Sequence, residues 1–535
     1  MRTRTHVSLV LAGVLLGCGN PTSQPEDRTG IIVPDGKADD FLSLSATEFV
    51  VSGRATVTLE AEFADASEEE RTARLRELVG YQQVAIAWFL NQYLIDKKDG
   101  DANEEYGGFG SMARANTYDS LDLQTDDGVT YSFYFEQLVA GQPDLISALP
   151  TTSGDDGERH FDLEIGTPSN DELAQLETND EWYRRSPWSP WNPATVDASR
   201  KTTLDLAIRV EEASNDAWFD YVALMEDDVL DIAVHFGWDY HAAYHVTHAR
   251  SLYGWLERNG FTSPVDGFDA LDRTSGPLTR TIVAGGREVR VEVSIFYGAD
   301  DTDTDPDTAA GGVNLENDMR ASLATRDVIM YSGHSGPFYG FALANWRMTD
   351  EGDLDDSEMR TVEMPERYQL VVAEGCDTYQ IGEAFRNNPA KPGGRNIDTI
   401  TTTAPSNAST SAAVQDVIAH LIRTNADGDH DPKPIRALLR DLDSNTSWFH
   451  TMYGVHGIDD NPQLHPWAYD VSCVECQLDS DCGGPGNRCV GVEGGSVCMP
   501  ACTTDAACGE GACRPLADSS SREIYDAVCV PSACF

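Results

Sequence analysis

Positive charge is scarce in this chain: 38 Lys and Arg stand against 89 Asp and Glu, a formal net charge of −51. Nucleic acid and anionic membrane surfaces both demand clustered cations, so that balance excludes them as partners. It favours solubility and leaves room for divalent cations. Long apolar runs are also missing: beyond Cys18 no stretch is long enough to span a bilayer as a helix. His-Glu-x-x-His, the helical zinc signature of metalloproteases, does not occur. Cysteine is almost absent from the body of the chain. Of twelve, Cys18 ends an N-terminal apolar segment and ten lie between Cys473 and Cys534, which leaves Cys376 alone. What is present rules out global disorder: 41% of residues are apolar and ten are Trp.

A chain of 535 residues exceeds what one core organises, so two or three domains are expected. Residues 1–18 read as a targeting segment. Arg2 and Arg4 form its charged start, Val7 to Leu16 its apolar stretch, and Leu15-Leu16-Gly17-Cys18 resembles the lipobox of bacterial lipoproteins. That resemblance implies cleavage before Cys18, a lipid anchor on its thiol, and export to a compartment where disulfides persist. Gly19 and Asn20, in place of Asp, imply by the same analogy the outer membrane of a Gram-negative bacterium. Residues 19–40 are rich in Pro, Asp, Gly and Thr and read as a flexible tether. Residues 41–225 carry short alternating runs such as Thr130-Tyr131-Ser132-Phe133-Tyr134-Phe135, with one amphipathic helix near 69–96, and predict a β-rich accessory domain. The Trp182 to Trp191 stretch predicts a packed loop or a domain seam. Residues 226–470 alternate strands (229–236, 288–296, 326–332, 367–373, 396–403) with helices (241–258, 315–325, 378–387, 410–423). That rhythm predicts a mostly parallel sheet with both faces covered, whose sites lie at the carboxyl ends of its strands. In residues 471–535 the spacing Cys476-x2-Asp479-x2-Cys482-Gly483 recurs as Cys502-x2-Asp505-x2-Cys508-Gly509. An even set of ten cysteines in an exported segment this small predicts a disulfide-rich module, with zinc binding the alternative.

The chemistry converges on two blocks. Asp327-Val328-Ile329-Met330-Tyr331 is followed by Ser332-Gly333-His334-Ser335-Gly336; Leu370-Val371-Val372-Ala373 is followed by Glu374-Gly375-Cys376. A His from one strand end and a Cys from the next is what a Cys/His acyl-transfer site needs. The pair resembles the caspase-like clan of cysteine peptidases, which includes gingipains, clostripain and legumains; Glu-small-Cys is similar to the legumain form. Tyr453-Gly454-Val455-His456-Gly457-Ile458-Asp459-Asp460-Asn461-Pro462 is loosely similar to the turn that ends gingipain-like domains. The resemblance covers about 226–470 and implies an α/β/α caspase-like sandwich that acts as an endopeptidase on protein or peptide. Cys376 would then attack as a thiolate, and His334 would be its proton partner. The amides of Cys376 and of Gly336 or Ser335 would form the oxyanion hole, with Glu374, Asp377 and His241 near the substrate pocket. No cofactor is required, although some relatives in the clan use calcium. One departure from the clan is Ser335, which follows His334 where Gly is usual.

Two other enzyme-free or rival readings use the same residues. Gly333-His334-Ser335-Gly336-Pro337 resembles the nucleophile elbow of α/β-hydrolases, with Ser335 as nucleophile and Asp398 with His450 or His456 downstream, but Pro337 stands where the elbow wants Gly. A catalytically inactive surface-binding lipoprotein is the non-enzymatic alternative. Among His235, His241, His245 and His248, the pair His241 and His245 is spaced to share a helical face, and the set reads as a polar helix beside the site mouth. Two acidic loops are candidate calcium sites. One holds Asp300, Asp301, Asp303, Asp305 and Asp307; the other holds Asn425, Asp427, Asp429 and Asp431, with Arg436 where an EF-hand needs Glu.

Overall fold

The computed structural model describes residues 41–97, 110–113, 123–143, 145–154, 157–178, 186, 188, 191–336, 340–444, 451–468, 473–492, 495–509, 511–517 and 524–530. The signal segment, its Cys18 and the tether lie outside these residues, as do Pro337 and His450. Among the described residues no helix is long and apolar enough to cross a membrane.

The chain opens on β1 (Phe41–Ser43), then runs through β2 (Thr47–Thr58), β3 (Gly110–Ala113), β4 (Thr130–Gly141), β5 (Thr152–Ser153), β6 (Arg159–Gly166) and β7 (Lys201–Val210). Strands β2 to β7 form a six-stranded sheet of order β3-β4-β2-β7-β6-β5, and its pairings are antiparallel. Buried and more exposed residues alternate over Ala55–Thr58 of β2 and Thr130–Phe135 of β4, while Phe49–Val51 and Leu138–Ala140 are buried on both faces. Helix Glu68–Lys97 lies over this sheet and buries Leu75, Leu78, Val79 and the run from Val84 to Leu90. Its start is a capping box: the Glu70 amide donates to Ser67 Oγ at 3.2 Å and the Ser67 amide to Glu70 Oε2 at 2.9 Å. Trp188 and Trp191 are buried in the same core, with Trp191 4.7 Å from Phe89 between ring centres. The described tryptophans of that stretch therefore pack into the β-rich core, while Trp182 lies outside the described residues.

The second half supplies β8 (Val229–Phe236), β9 (Leu278–Ala284), β10 (Arg287–Tyr297), β11 (Val328–Ser332), a small three-stranded sheet of β12 (Ser335–Gly336), β13 (Gly340–Ala342) and β14 (Asp353–Leu354), then β15 (Gln369–Glu374), β16 (Ile397–Thr402) and β17 (Tyr453–His456). An eight-stranded mixed sheet results, in the order β1-β17-β16-β15-β11-β8-β10-β9. Its five central strands are parallel and its outer pairings antiparallel. β11, β15 and β16 are buried along their whole length, the signature of strands covered on both faces. Successive residues enter different cores: Val328, Met330, Leu370 and Val372 join one cluster, while Ile329, Tyr331, Val371 and Ala373 join another. The connecting helices are Tyr244–Arg258, Ala309–Thr325, Ile381–Arg386 and Ala412–Leu421.

Two boundaries differ from expectation. Residues 41–43 do not join the β-rich sheet; β1 pairs with β17 through Phe41↔His456 and Leu42↔Val455. Trp218, Phe219, Tyr221 and Leu224, expected at the end of the β-rich segment, are buried in the large sheet's core. Both segments are apolar and too short to bury themselves, so they go to the larger hydrophobic surface. The two sheets also meet directly: the buried Tyr379 hydroxyl donates to Glu48 Oε1 of β2, and Phe41 and Tyr379 share a core cluster with Val50, Leu138 and Ala140 of the β-rich sheet.

The C-terminal segment is pinned by four described disulfides, Cys476–Cys489, Cys482–Cys498, Cys502–Cys513 and Cys508–Cys529, and Cys473 is disulfide-bonded as well. The repeat has a structural meaning. Asp479 accepts the Cys489 amide at 2.7 Å, and Asp505 accepts the Cys513 amide at 2.8 Å, the same role in each unit. Arg488 anchors this module to the body. It donates to Asp526 at 2.8 Å and to Asp431 at 3.0 Å, and it is 7% exposed.

Candidate active site

Four parallel strands end side by side, and the side chains of interest come from the residues just past those ends, where open parallel sheets place their sites. β8 delivers Asp239, β11 delivers His334, β15 delivers Glu374 and Cys376, and β16 delivers the Ser406 to Thr410 loop. An open cleft here is lined by Asp239, His245, His248, His334, Glu374 and Ser406, among others. Glycines let the chain ends approach. A Cβ on Gly375 would lie 1.8 Å from Ser335 Oγ, and one on Gly333 would lie 2.8 Å from the Gly237 Cα.

The in-register pair Ser332↔Glu374 sets His334 and Cys376 on neighbouring loops. Ser335 Oγ ties them, donating to the Cys376 carbonyl at 3.1 Å. His334 Nε2 lies 3.1 Å from Asp239 Oδ1, with the nitrogen as donor to the carboxylate. Tyr240 stacks on the imidazole at 4.6 Å with planes 14° apart, and Trp346 meets it edge-on at 5.6 Å. These contacts fix the ring plane. Asp239 is held ionised well below the ordinary carboxylate range, because the Ala242 and Tyr244 amides and the His241 and His334 rings all donate to it against the cost of its burial.

Cys376 is the free thiol among the described residues, and it is partly exposed. Burial, with the neighbouring carboxylates Asp377 and Glu374 adding to it, pushes the thiol up to about 12; Sγ points at the Ser406 carbonyl 3.9 Å away. This environment disfavours ionisation of the thiol, which an attack as a thiolate has to overcome. Glu374 is buried, bonded to the Ser332 hydroxyl and also to Ser406, and burial lifts it to about 7. Asp377 is lifted to about 7 by burial and sits at φ 53°.

Other expected site residues fall differently. Ser335 is 2% exposed and lies in β12, which pairs antiparallel with β13 where a nucleophile elbow would place a helix. Asp398 accepts from Tyr368 and from Asn461 Nδ2, and His456 Nε2 lies 3.0 Å from Thr401 Oγ1; neither of these contacts is with Ser335. Gly336 pairs with Gly340 at the turn of the same small sheet. His241 and His245 do not share a helical face, because helix Tyr244–Arg258 starts after His241. His241 turns back instead, its Nδ1 2.7 Å from Asp239 Oδ1, while His245 is buried and accepts the Asp239 amide at 3.2 Å. His235 is buried against Phe296, away from the cleft lining.

The acidic loops use their oxygens locally. Asp305 accepts the amides of Asp301 at 3.1 Å and Asp307 at 3.0 Å, and Asp303 pairs with Arg273 at 3.5 Å. Asn425 accepts the amides of Asp427 and Asp429, both at 3.0 Å, and Asp431 belongs to the Arg488 network. Among the described residues, neither loop brings three metal-ligating side-chain atoms within 4.8 Å of one another; Asp239, His241 and His334 do.

Asp239, Tyr240, Trp346 and Ser406 were not singled out in the sequence. The available signal for Asp239 was its place three residues beyond β8, on the edge where His334 and Cys376 also emerge. No family model, curated protein or solved structure matches the chain, so the functional reading rests on this geometry.

Proposed function

We propose that the chain is a cysteine endopeptidase of the caspase-like type, exported and lipid-anchored through Cys18. The observation that carries this is the placement of His334 and Cys376 on adjacent parallel strand ends, with Asp239 behind the imidazole. The order of the large sheet's parallel strands supports a caspase-like α/β/α domain over about 226–470, beside a β-rich domain and a disulfide-rich module. The donation from Nε2 to Asp239 leaves Nδ1 as the basic nitrogen of His334. That nitrogen takes the proton from the Cys376 thiol, whose ionisation burial and the neighbouring Asp377 and Glu374 oppose. Sγ then attacks the scissile carbonyl, the Cys376 amide and that of Gly336 or Ser335 stabilise the oxyanion, and the imidazolium returns its proton to the leaving amine. Water hydrolyses the resulting thioester. The cleft beside Glu374 receives the side chain preceding the scissile bond.

The high thiol pKa favours one competing reading, an inactive binding lipoprotein. Both are tested by offering a mixed peptide library to the mature protein, with and without calcium, beside Cys376→Ala. Cleavage that vanishes in the variant supports the peptidase, and the cut sites report specificity. Equal cleavage by the two proteins would move the chemistry to Ser335, and no cleavage by either would move the assignment to a binding role.

A further inference from the structure

The peptidase mechanism leaves His241 without a task, yet the loop after β8 aims it at the catalytic imidazole's partner. Asp239 Oδ2 is held by the amides of His241 at 3.0 Å, Ala242 at 2.9 Å and Tyr244 at 3.3 Å. Those bonds orient the carboxylate and turn Oδ1 toward two imidazole nitrogens, His241 Nδ1 at 2.7 Å and His334 Nε2 at 3.1 Å. All three ligand atoms lie within 4.8 Å of one another. A tetrahedral zinc with bonds of ~2.1 Å spaces its ligands by ~3.4 Å, close to these separations. Two imidazoles and one carboxylate are a borderline-soft N/O donor set that suits zinc and leaves a fourth position open. His241 is half exposed, which provides an entry path, and Tyr240 stacked on His334 holds the less mobile ligand in place.

We propose that Asp239, His241 and His334 form a zinc site, and that zinc there switches the peptidase off. The second half rests on the peptidase reading; the first does not. Zinc on Nε2 of His334 requires the ring's proton to sit on Nδ1. The nitrogen that would accept the thiol proton then becomes a donor, and Cys376 loses its base. His241 moves its proton from Nδ1 to Nε2 in the same way, so no net proton is needed.

The test is zinc affinity by competition with a chromogenic chelator, on the full mature protein with its disulfides intact, for wild type, His241→Ala, His241→Gln and Cys376→Ala. Expected is one zinc per chain in wild type, a Kd raised ~10–100-fold or more in both His241 variants, and no change in Cys376→Ala. Two His241 variants guard against a folding defect in either. Wild-type affinity in both His241 variants, or loss of zinc in Cys376→Ala, overturns the site. Peptide cleavage with and without zinc is then compared within each protein. Suppression in wild type that weakens in the His241 variants supports the switch, and zinc bound without suppression overturns it. A chain that binds zinc through His241 and cleaves nothing keeps the site and sinks the peptidase reading.

Discussion

Single side chains near the cleft have environments that yield measurable signs. Asp239 accepts from Nε2 of His334 and so fixes which ring nitrogen is left basic. Asp239→Asn is expected to lower kcat by ~10–10³-fold with KM little changed. A urea midpoint matching wild type separates this positioning role from a folding defect. Glu374 reads out as stability. Its pKa rises from 4.5 to about 7 on folding. The folded state therefore binds the extra proton between those values, and the contribution is complete below pH 4.5 and lost as pH rises through 7. Ionising it in the fold costs of the order of 3 kcal/mol. Glu374→Gln keeps the hydrogen-bonding shape without the charge, so its urea midpoint should exceed wild type at pH 8 and converge with it near pH 4.5.

At the scale of elements, the site depends on how closely strand ends pack. Gly375→Ala sets a methyl 1.8 Å from Ser335 Oγ and 2.8 Å from its Cβ. Overpacking of that kind costs ~1–3 kcal/mol or more. Urea unfolding should show the loss, and adding Ser335→Gly should restore part of it because the clash is with that side chain. The elements themselves were largely legible. Strand–helix alternation predicted β8, β11, β15 and β16, with continuous apolar runs in β11 and β15, and the helix expected near 69–96 is Glu68–Lys97. His241 was misread because a helical period was extended one turn before its start; Ala243 takes φ 51° there and the chain is not yet helical. The acidic loops hold Asp and Asn that accept the backbone amides of their own turns. Alternating Asp and Asn satisfy backbone amides in turns as readily as they bind cations, and spacing alone does not separate the two.

The whole molecule is held together by contacts between segments far apart in sequence. Arg488 reaches from the disulfide module to Asp431 in the body, with His465 3.2 Å from the same carboxylate. Arg488→Met leaves Asp431 and Asp526 buried with one partner fewer, and breaking such a network costs ~3–5 kcal/mol. Calorimetry should show a lowered transition, and limited proteolysis should cut near the module first. By itself the sequence determined the strongly acidic balance, the paired-cysteine repeat of the tail, and that His334 and Cys376 follow strands. These are local properties of composition and period. Only the tertiary structure decided that β1 and Trp218 join the far sheet, that Asp239 and His241 meet His334, and that Cys376 lies against Ser406. Each depends on which segments share a low-dielectric interior, and burial and proximity across hundreds of residues leave no periodic trace in the chain.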